Sequence, residues 1–228
     1  MSRLSIKELQ YNIGVTPDGA FGPNSRAALF AKLSNTDAPA LTAADIQAAA
    51  QRLGVPVGHI KGSREVEAPR GSYDDMGRPT ILYERHKFRN NCDPVGRFNA
   101  SHPDLSGSAY GPGGYGSFAG QYDKLARACA LDPEAALRAC SWGAFQVLGE
   151  HWQHLGYESV WEMVLSLTAG EAAHLETYVR FIERNGLKDE LQACRPNDPA
   201  SCVPFVSKYN GAGFRQFNYH RKFAEAIA

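Results

Sequence analysis

Two glutamates stand where acid–base chemistry can be done. Glu67 closes an apolar run, Val55, Val57, Ile60 and Val66, that reads as a helix. Pro69 and Gly71 then stop that helix, because proline disfavours helical backbone in the residue before it and glycine supplies turn conformations. Glu67 is therefore expected where a buried helix opens into a loop. A carboxylate half-sunk against apolar side chains has its charged form disfavoured, which raises its pKa and makes a general acid at neutral pH. The plain alternative is a surface glutamate at a helix end. Glu84 follows 17 residues later, on or just beyond the segment Thr80–Tyr83, whose β-branched and aromatic residues read as a short strand. Paired carboxylates across a cleft can cleave a glycosidic bond: one protonates the leaving oxygen, the other stabilises cationic charge or activates water. The competing reading of Glu84 is a salt bridge to Arg85 or another arginine.

Residues 89–120 are rich in Gly, Asn, Ser and Pro, and so long a loop in a compact domain is often functional. Tyr110, Tyr115 and Phe118 can line a sugar groove with their ring faces, or can simply pin the loop to the core. Five cysteines, Cys92, Cys129, Cys140, Cys194 and Cys202, form no CxxC pair and are odd in number, so free thiols are expected. Cys194 and Cys202 flank a loop with Pro and Asp and can pair in an oxidising space. His86 and Cys92 form no recognised zinc set, and no metal or other cofactor is expected. A thiol enzyme would need a reactive cysteine beside a histidine, and nothing around Cys92 makes one.

These residues need elements to hold them. The 228 residues suffice for one sizeable core or for a domain with a small module. The charges balance, 24 basic against 24 acidic, which argues against a nucleic-acid binder. No run of about 18 apolar residues encodes a membrane span, and no apolar stretch after the N-terminal Met-Ser-Arg-Leu-Ser-Ile-Lys-Glu reads as a secretory signal, so a cytosolic start is expected. Leu4, Ile6, Leu9 and Ile13 give a short amphipathic helix; Asp18-Gly19 and Gly22-Pro23 make a turn; Asn24 or Ser25 caps a second helix over Arg26–Lys32. A polar linker, 34–43, leads to a helix over Ala43–Leu53 capped by Thr42 with Asp45. From Gln121 the chain reads as helical to its end. Asp132-Pro133 starts one helix, residues 141–149 form a compact apolar segment carrying Gln146, and Ala169–Asn185 forms a long helix stopped by Gly186. The last helix, Arg215–Ala228, is basic at its start, and its charges read as a solvated face.

Three segments together carry a family resemblance: Glu65-Val-Glu67-Ala with Gly71-Ser-Tyr73, then Gly77-Arg-Pro79 through Glu84-Arg-His86-x-Phe88, then Ser141-Trp-Gly-x-Phe-Gln146-Val-x-Gly149. The set resembles the N-acetylmuramidase family of phage endolysins and related bacterial lysins, over about residues 40–228. Leu9-Gln10, Gly14-Val15 and Asp18-Gly-x-Phe21-Gly-Pro23 resemble the peptidoglycan-binding module of many cell-wall hydrolases, in abbreviated form. The resemblance implies a mainly α protein: a lysozyme-like helical domain with a short β element over 41–228, preceded by a small helical module over 1–36. It points to Glu67 as the catalytic acid. Glu65 sits about 200° around the helix and faces elsewhere. The Gly-x-x-Gln element of lysozyme-like enzymes points to Gln146 on the sugar groove. Tyr209-Asn210-Gly211 is similar to the Tyr-Asn element of goose-type lysozymes and lytic transglycosylases. The chain departs from the family pattern at Ala68-Pro69-Arg70, which makes a bulkier rim beside the acid.

The activity so implied is cleavage of the N-acetylmuramic acid–N-acetylglucosamine bond in bacterial peptidoglycan by a monomer. Glu67 would act as acid, with Glu84 or the substrate acetamido group assisting water. The alternatives are a lytic transglycosylase, in which the muramic 6-hydroxyl attacks and leaves a 1,6-anhydro end, and a wall-binding protein without catalysis. An endolysin of this kind waits in the host cytoplasm until lysis and then reaches the wall; stable membrane insertion is not expected.

Overall fold

The computed structural model describes residues 3–109 and 115–228, so Tyr110 lies outside the described residues. Helix α1 (Ile6–Asn12) starts on a full capping box between Ser5 and Glu8, and α2 (Pro23–Leu33) starts on Pro23 with Gly22 as its N-cap. The expected caps Asn24 and Ser25 thus lie inside α2. Ser25 is buried and accepts a 3.1 Å hydrogen bond from Gln10 Nε2, which also donates to the Asp18 carboxylate at 2.7 Å and holds the Asp-Gly turn. Helix α3 (Ala43–Leu53) carries the Thr42–Asp45 capping box read from the sequence and ends on Gly54 with φ 70°. A left-handed residue there favours glycine, which has no Cβ to clash.

Helix α4 (Val57–Glu67) crosses α3 and the C-terminal α12 (Tyr219–Ala226). The crossing with α12 is close because α4 is bare where the two meet: a Cβ on Gly62 would stand 2.7 Å from Ile227 Cγ2, and one on Gly58 3.4 Å from the Ile227 carbonyl oxygen. Strand β1 (Ile81–Tyr83) follows, then α5 (Arg85–Asn91). Next come α6 (Gln121–Cys129) and α7 (Pro133–Arg138), the latter capped by Asp132. The chain then leaves the all-helical course expected from Gln121 onward. Residues Cys140–Trp142 form β2 and Val147–Leu148 form β3, completing an antiparallel sheet of order β1-β2-β3 with Ile81 opposite Trp142 and Trp142 opposite Val147.

Helices α8 (Val160–Ser166), α9 (Glu171–Arg184), α10 (Lys188–Gln192), α11 (Pro199–Tyr209) and α12 complete the fold. The last helix starts at Tyr219 rather than Arg215, because Asn218 takes a left-handed conformation, φ 56°, that breaks helical backbone. The fold is mainly α with a small sheet, as expected. Leu9, Ile13, Leu29 and Leu33 from the N-terminal helices lie in the same continuous apolar cluster as Trp142, Phe145, Tyr178 and Phe223. Burial of such side chains is the main drive to this arrangement. Polar ties reinforce it at one corner. The buried Glu171 carboxylate accepts from Leu41 N at 2.7 Å, Ser72 Oγ at 2.5 Å and Arg64, which joins the linker, α4 and α9. Among the described residues no helix is long and apolar enough to cross a membrane.

Candidate active site

The end of α4, the β1–α5 junction, the β2–β3 hairpin and the α11–α12 corner enclose a cleft of about 920 Å³. Glu67, Glu84, Gln146, Tyr209, Asn210 and Tyr115 all line it, so every described residue singled out as a catalytic or binding candidate comes to one place. Phe118 also reaches the cleft, at its rim, where the Arg70 guanidinium lies 5.3 Å from its ring centre.

Glu67 is the last residue of α4. Beside the cleft it also lines a small void with Ser63 and Val66 of its own helix and Phe205, Val206, Tyr209 and Phe223 opposite. Asn210 Nδ2 donates a 2.7 Å hydrogen bond to Glu67 Oε1. Burial pushes the carboxyl up to about 7, against the opposing pull of the Asn210 amide and the Lys222 ammonium. Desolvation disfavours the anion; the amide and the cation favour it; desolvation wins. The group is therefore protonated in much of the population at neutral pH and open to the cleft.

Glu84 caps α5, just past β1. Its partners are not arginines. Ser141 Oγ on β2 donates to Oε1 at 3.3 Å, and His86 Nε2 lies 3.6 Å from Oε2. Arg85 turns away to the Ser106 carbonyl, 3.1 Å distant. Burial raises the Glu84 carboxyl above the ordinary glutamate value, against Lys87 and the Ser141 hydroxyl, and the Glu150 charge adds to the rise. Lys87 itself is bound to Glu150 at 2.6 Å. The site so far holds two carboxyls whose pKa values are both shifted upward, by burial first, with different neighbours.

Gln146 sits at the apex of the β2–β3 hairpin with φ 48°, and its Nε2 donates to the Gly143 carbonyl at 2.8 Å. The hairpin is locked from behind. Gly143 has φ 68°, and a Cβ there would stand 2.3 Å from His174 Nδ1. His174 is buried; its Nδ1 accepts from Ala144 N at 2.9 Å, so its Nε2 donates to the Leu167 carbonyl at 2.8 Å. Burial holds that imidazole down to about 4, neutral at physiological pH. Tyr209 is half-buried among Tyr178, Phe181 and Phe205, and its hydroxyl donates to the Phe145 carbonyl at 2.6 Å. It braces the hairpin from the α11 side. Tyr115 is held through its carbonyl, which accepts from Gln121 Nε2 at 2.8 Å and Lys124 Nζ at 2.9 Å.

Sequence reasoning missed Tyr219, Lys222, Ser141 and His86. Tyr219 lines the cleft within the field of both Glu67 and Glu84; burial first, then those two charges, pushes its hydroxyl up to about 12. Lys222 lies 5.6 Å from the Tyr219 ring centre. The signal that could have found them is the Gly58-x-x-x-Gly62 spacing in α4, which permits α12 to approach the acid. Burial raises the Cys92 thiol to about 12, away from the thiolate form that a cysteine nucleophile uses. Among the described residues no cluster of His, Cys, Asp and Glu could hold a metal ion.

The model of the N-acetylmuramidase family matches residues 56–228. The whole chain is similar to the crystal structure of the Burkholderia AP3 phage endolysin, with 30% identity and a TM-score of 0.71 over 99% of this chain and 97% of that one. No curated protein matches the chain.

Proposed function

Because the chain belongs to the N-acetylmuramidase family, we propose that it is a phage endolysin that cuts the glycan strands of bacterial peptidoglycan at the N-acetylmuramic acid–N-acetylglucosamine bond, with Glu67 as general acid. The observation that carries this reading is the Glu67 carboxyl itself: it faces a cleft of about 920 Å³, is oriented by Asn210, and has its pKa raised to about 7. A proton held there can pass to the glycosidic oxygen as the bond breaks.

Glu84 supplies the second carboxyl. Its contacts with the Ser141 hydroxyl and His86 fix it in the same cleft, where its anion would stabilise cationic charge at the sugar ring or take a proton from attacking water. Gln146, Asn210 and Tyr115 supply amide and ring surfaces for the sugars, and Tyr209 holds the hairpin that presents Gln146. The protein acts as a monomer on the cell wall after leaving the host cytoplasm, and its N-terminal helices add a wall contact.

The test is mass spectrometry of the soluble fragments released from purified peptidoglycan. Reducing muramic acid ends support hydrolysis as written. Anhydro-muramic ends would replace hydrolysis by transglycosylation with Glu67 acting without Glu84, and binding without released fragments would refute catalysis.

A further inference from the structure

The five described cysteines are free and buried, yet they fall into two kinds. Cys92, Cys129 and Cys140 sit in the apolar core, where burial holds all three as thiols. Cys194 and Cys202 are buried in the same apolar cluster but flank an exposed turn. Cys194 follows α10, Cys202 lies in the first turn of α11, and the turn between them folds back tightly. Arg195 N donates to Ser201 Oγ at 2.8 Å; Ser201 Oγ donates to the Asp198 carbonyl at 2.7 Å; the Asp198 carboxylate accepts from Ala200 N at 3.1 Å; Arg195 and Asp198 pair as an isolated bridge. Asn197 turns the chain with φ 57°. The result is a closed loop with Cys194 at one end and Cys202 at the other; Cys194 Sγ donates to the Glu190 carbonyl at 3.2 Å, Ser201 Oγ lies 3.7 Å from Cys202 Sγ, and the two thiols are near enough to influence each other's ionisation.

We propose that Cys194 and Cys202 are a disulfide-forming pair, closed by thiol–disulfide exchange with a low-molecular-weight disulfide of the glutathione type. The pair is polarised for this. The nearness of Cys194 and the Arg195 amide hold the Cys202 thiol down against burial, while the nearness of Cys202 and burial hold Cys194 up. A thiolate is the attacking species. Opening of the exposed 195–197 turn lets the Cys202 thiolate attack one sulfur of the donor disulfide, and one donor thiolate leaves. Cys194 then gives its proton to water and attacks Cys202 Sγ of the mixed disulfide, and the second donor thiolate leaves. Two electrons and two protons pass from the pair to the donor, which becomes two thiols.

The bond would close at a corner tied to the active site. The Cys194 carbonyl accepts from His59 Nε2 on α4 at 3.0 Å, and α11 runs from Cys202 to Asn210, the partner of Glu67. A chain that starts in a reducing cytosol and ends outside it would thus gain a covalent brace between the α10–α11 corner and the helices that hold its acid.

The experiment uses the whole folded protein with glutathione disulfide at pH 8, an acid quench, alkylation after unfolding, and tryptic mass mapping. Both cysteines fall in one peptide, Asp189–Lys208, because Pro196 blocks cleavage after Arg195. The expected product is that peptide without alkyl groups and lighter by the mass of two hydrogens, with Cys92, Cys129 and Cys140 fully alkylated. Cys194→Ser should trap a glutathione adduct on Cys202. Recovery of five alkylated cysteines from the wild type, or a bridge that involves any of the other three, would overturn the proposal. An adduct that persists on Cys194 in Cys202→Ser while Cys194→Ser gains none would overturn the assigned order of attack.

Discussion

Replacing Glu67 with Gln should abolish activity and stabilise the protein, and the stabilisation should depend on pH. The Glu67 carboxyl is raised from 4.5 to about 7 in the folded protein. Between those two values the folded state binds more protons than the unfolded one, so stability falls as pH rises through that window. Above pH 7 the full penalty is present, and the shift corresponds to about 3 kcal/mol. Gln carries no charge to desolvate, and its amide oxygen can still accept the Asn210 hydrogen bond. The variant should therefore gain up to about 3 kcal/mol at pH 8.5, or roughly 6–12 °C in Tm for a chain of this size. Water on the cleft side of the carboxylate makes that figure a ceiling. At pH 4, where the carboxyl is protonated in both states, the gain should vanish. The assay is thermal or urea unfolding of both proteins at pH 4 and 8.5. Equal stability at pH 8.5, or a gain of the same size at pH 4, would refute the claim that Glu67 is a half-buried carboxyl with a raised pKa.

The same titration should govern catalysis: kcat/KM is expected to fall with rising pH around 7, as Glu67 loses its proton, and to fall on the acid side above the ordinary glutamate value, as Glu84 gains one. Glu84→Gln should remove that acid limb and lower turnover on purified walls; an unchanged acid limb would show that Glu84 does not titrate in the reaction. Asn210→Ala should move the alkaline limb up by about one unit, because the amide it removes favours the Glu67 anion; a downward move in the pH–rate profile would contradict this. Gly143→Ala should cost more than about 2 kcal/mol in urea unfolding, from a Cβ thrust 2.3 Å from His174 Nδ1 at a backbone φ of 68°. Gly62→Ala should cost about 1–3 kcal/mol by forcing α12 away from α4, and should weaken activity because Tyr219 and Lys222 ride on α12.

Local rules made much of this fold readable. The Thr42–Asp45 box starts α3, Gly54 ends it, and α4 runs to Glu67 before Pro69 and Gly71, as side-chain capping and backbone freedom dictate. The β2–β3 hairpin was not readable. Cys140 to Leu148 is apolar nearly throughout, because both faces of these strands are buried, so the alternation that marks a strand is missing. Its turn rests on Gln146 at φ 48°, a conformation that Gln rarely takes and that no residue pattern announces. His174, thirty residues away in the sequence, is what holds it. The start of the last helix failed for a related reason: Arg215, Arg221 and Lys222 look like a solvated run, and only Asn218 in its left-handed turn separates the irregular part from the helix.

The position of the Glu67 carboxyl was readable and its tuning was not, and the difference is one of range. That a carboxyl sits at the end of an apolar helix follows from a dozen neighbouring residues. How far its pKa moves depends on Asn210 at the end of α11 and Lys222 on α12, which oppose the shift, and on the apolar wall from Phe205, Val206 and Phe223, which drives it. All five lie more than a hundred residues away in sequence. Two of them, Lys222 and Phe223, ride on α12, whose end packs on the bare α4 backbone at Gly58 and Gly62. A side chain at Gly62 would admit water behind the carboxyl, restore solvation to its anion and lower its pKa. With Glu67 as the proposed acid, Gly62→Ala should therefore move the alkaline limb of the pH–rate profile downward, opposite to Asn210→Ala. Movement of both limbs in the same direction would refute this division between a desolvating wall and a solvating amide.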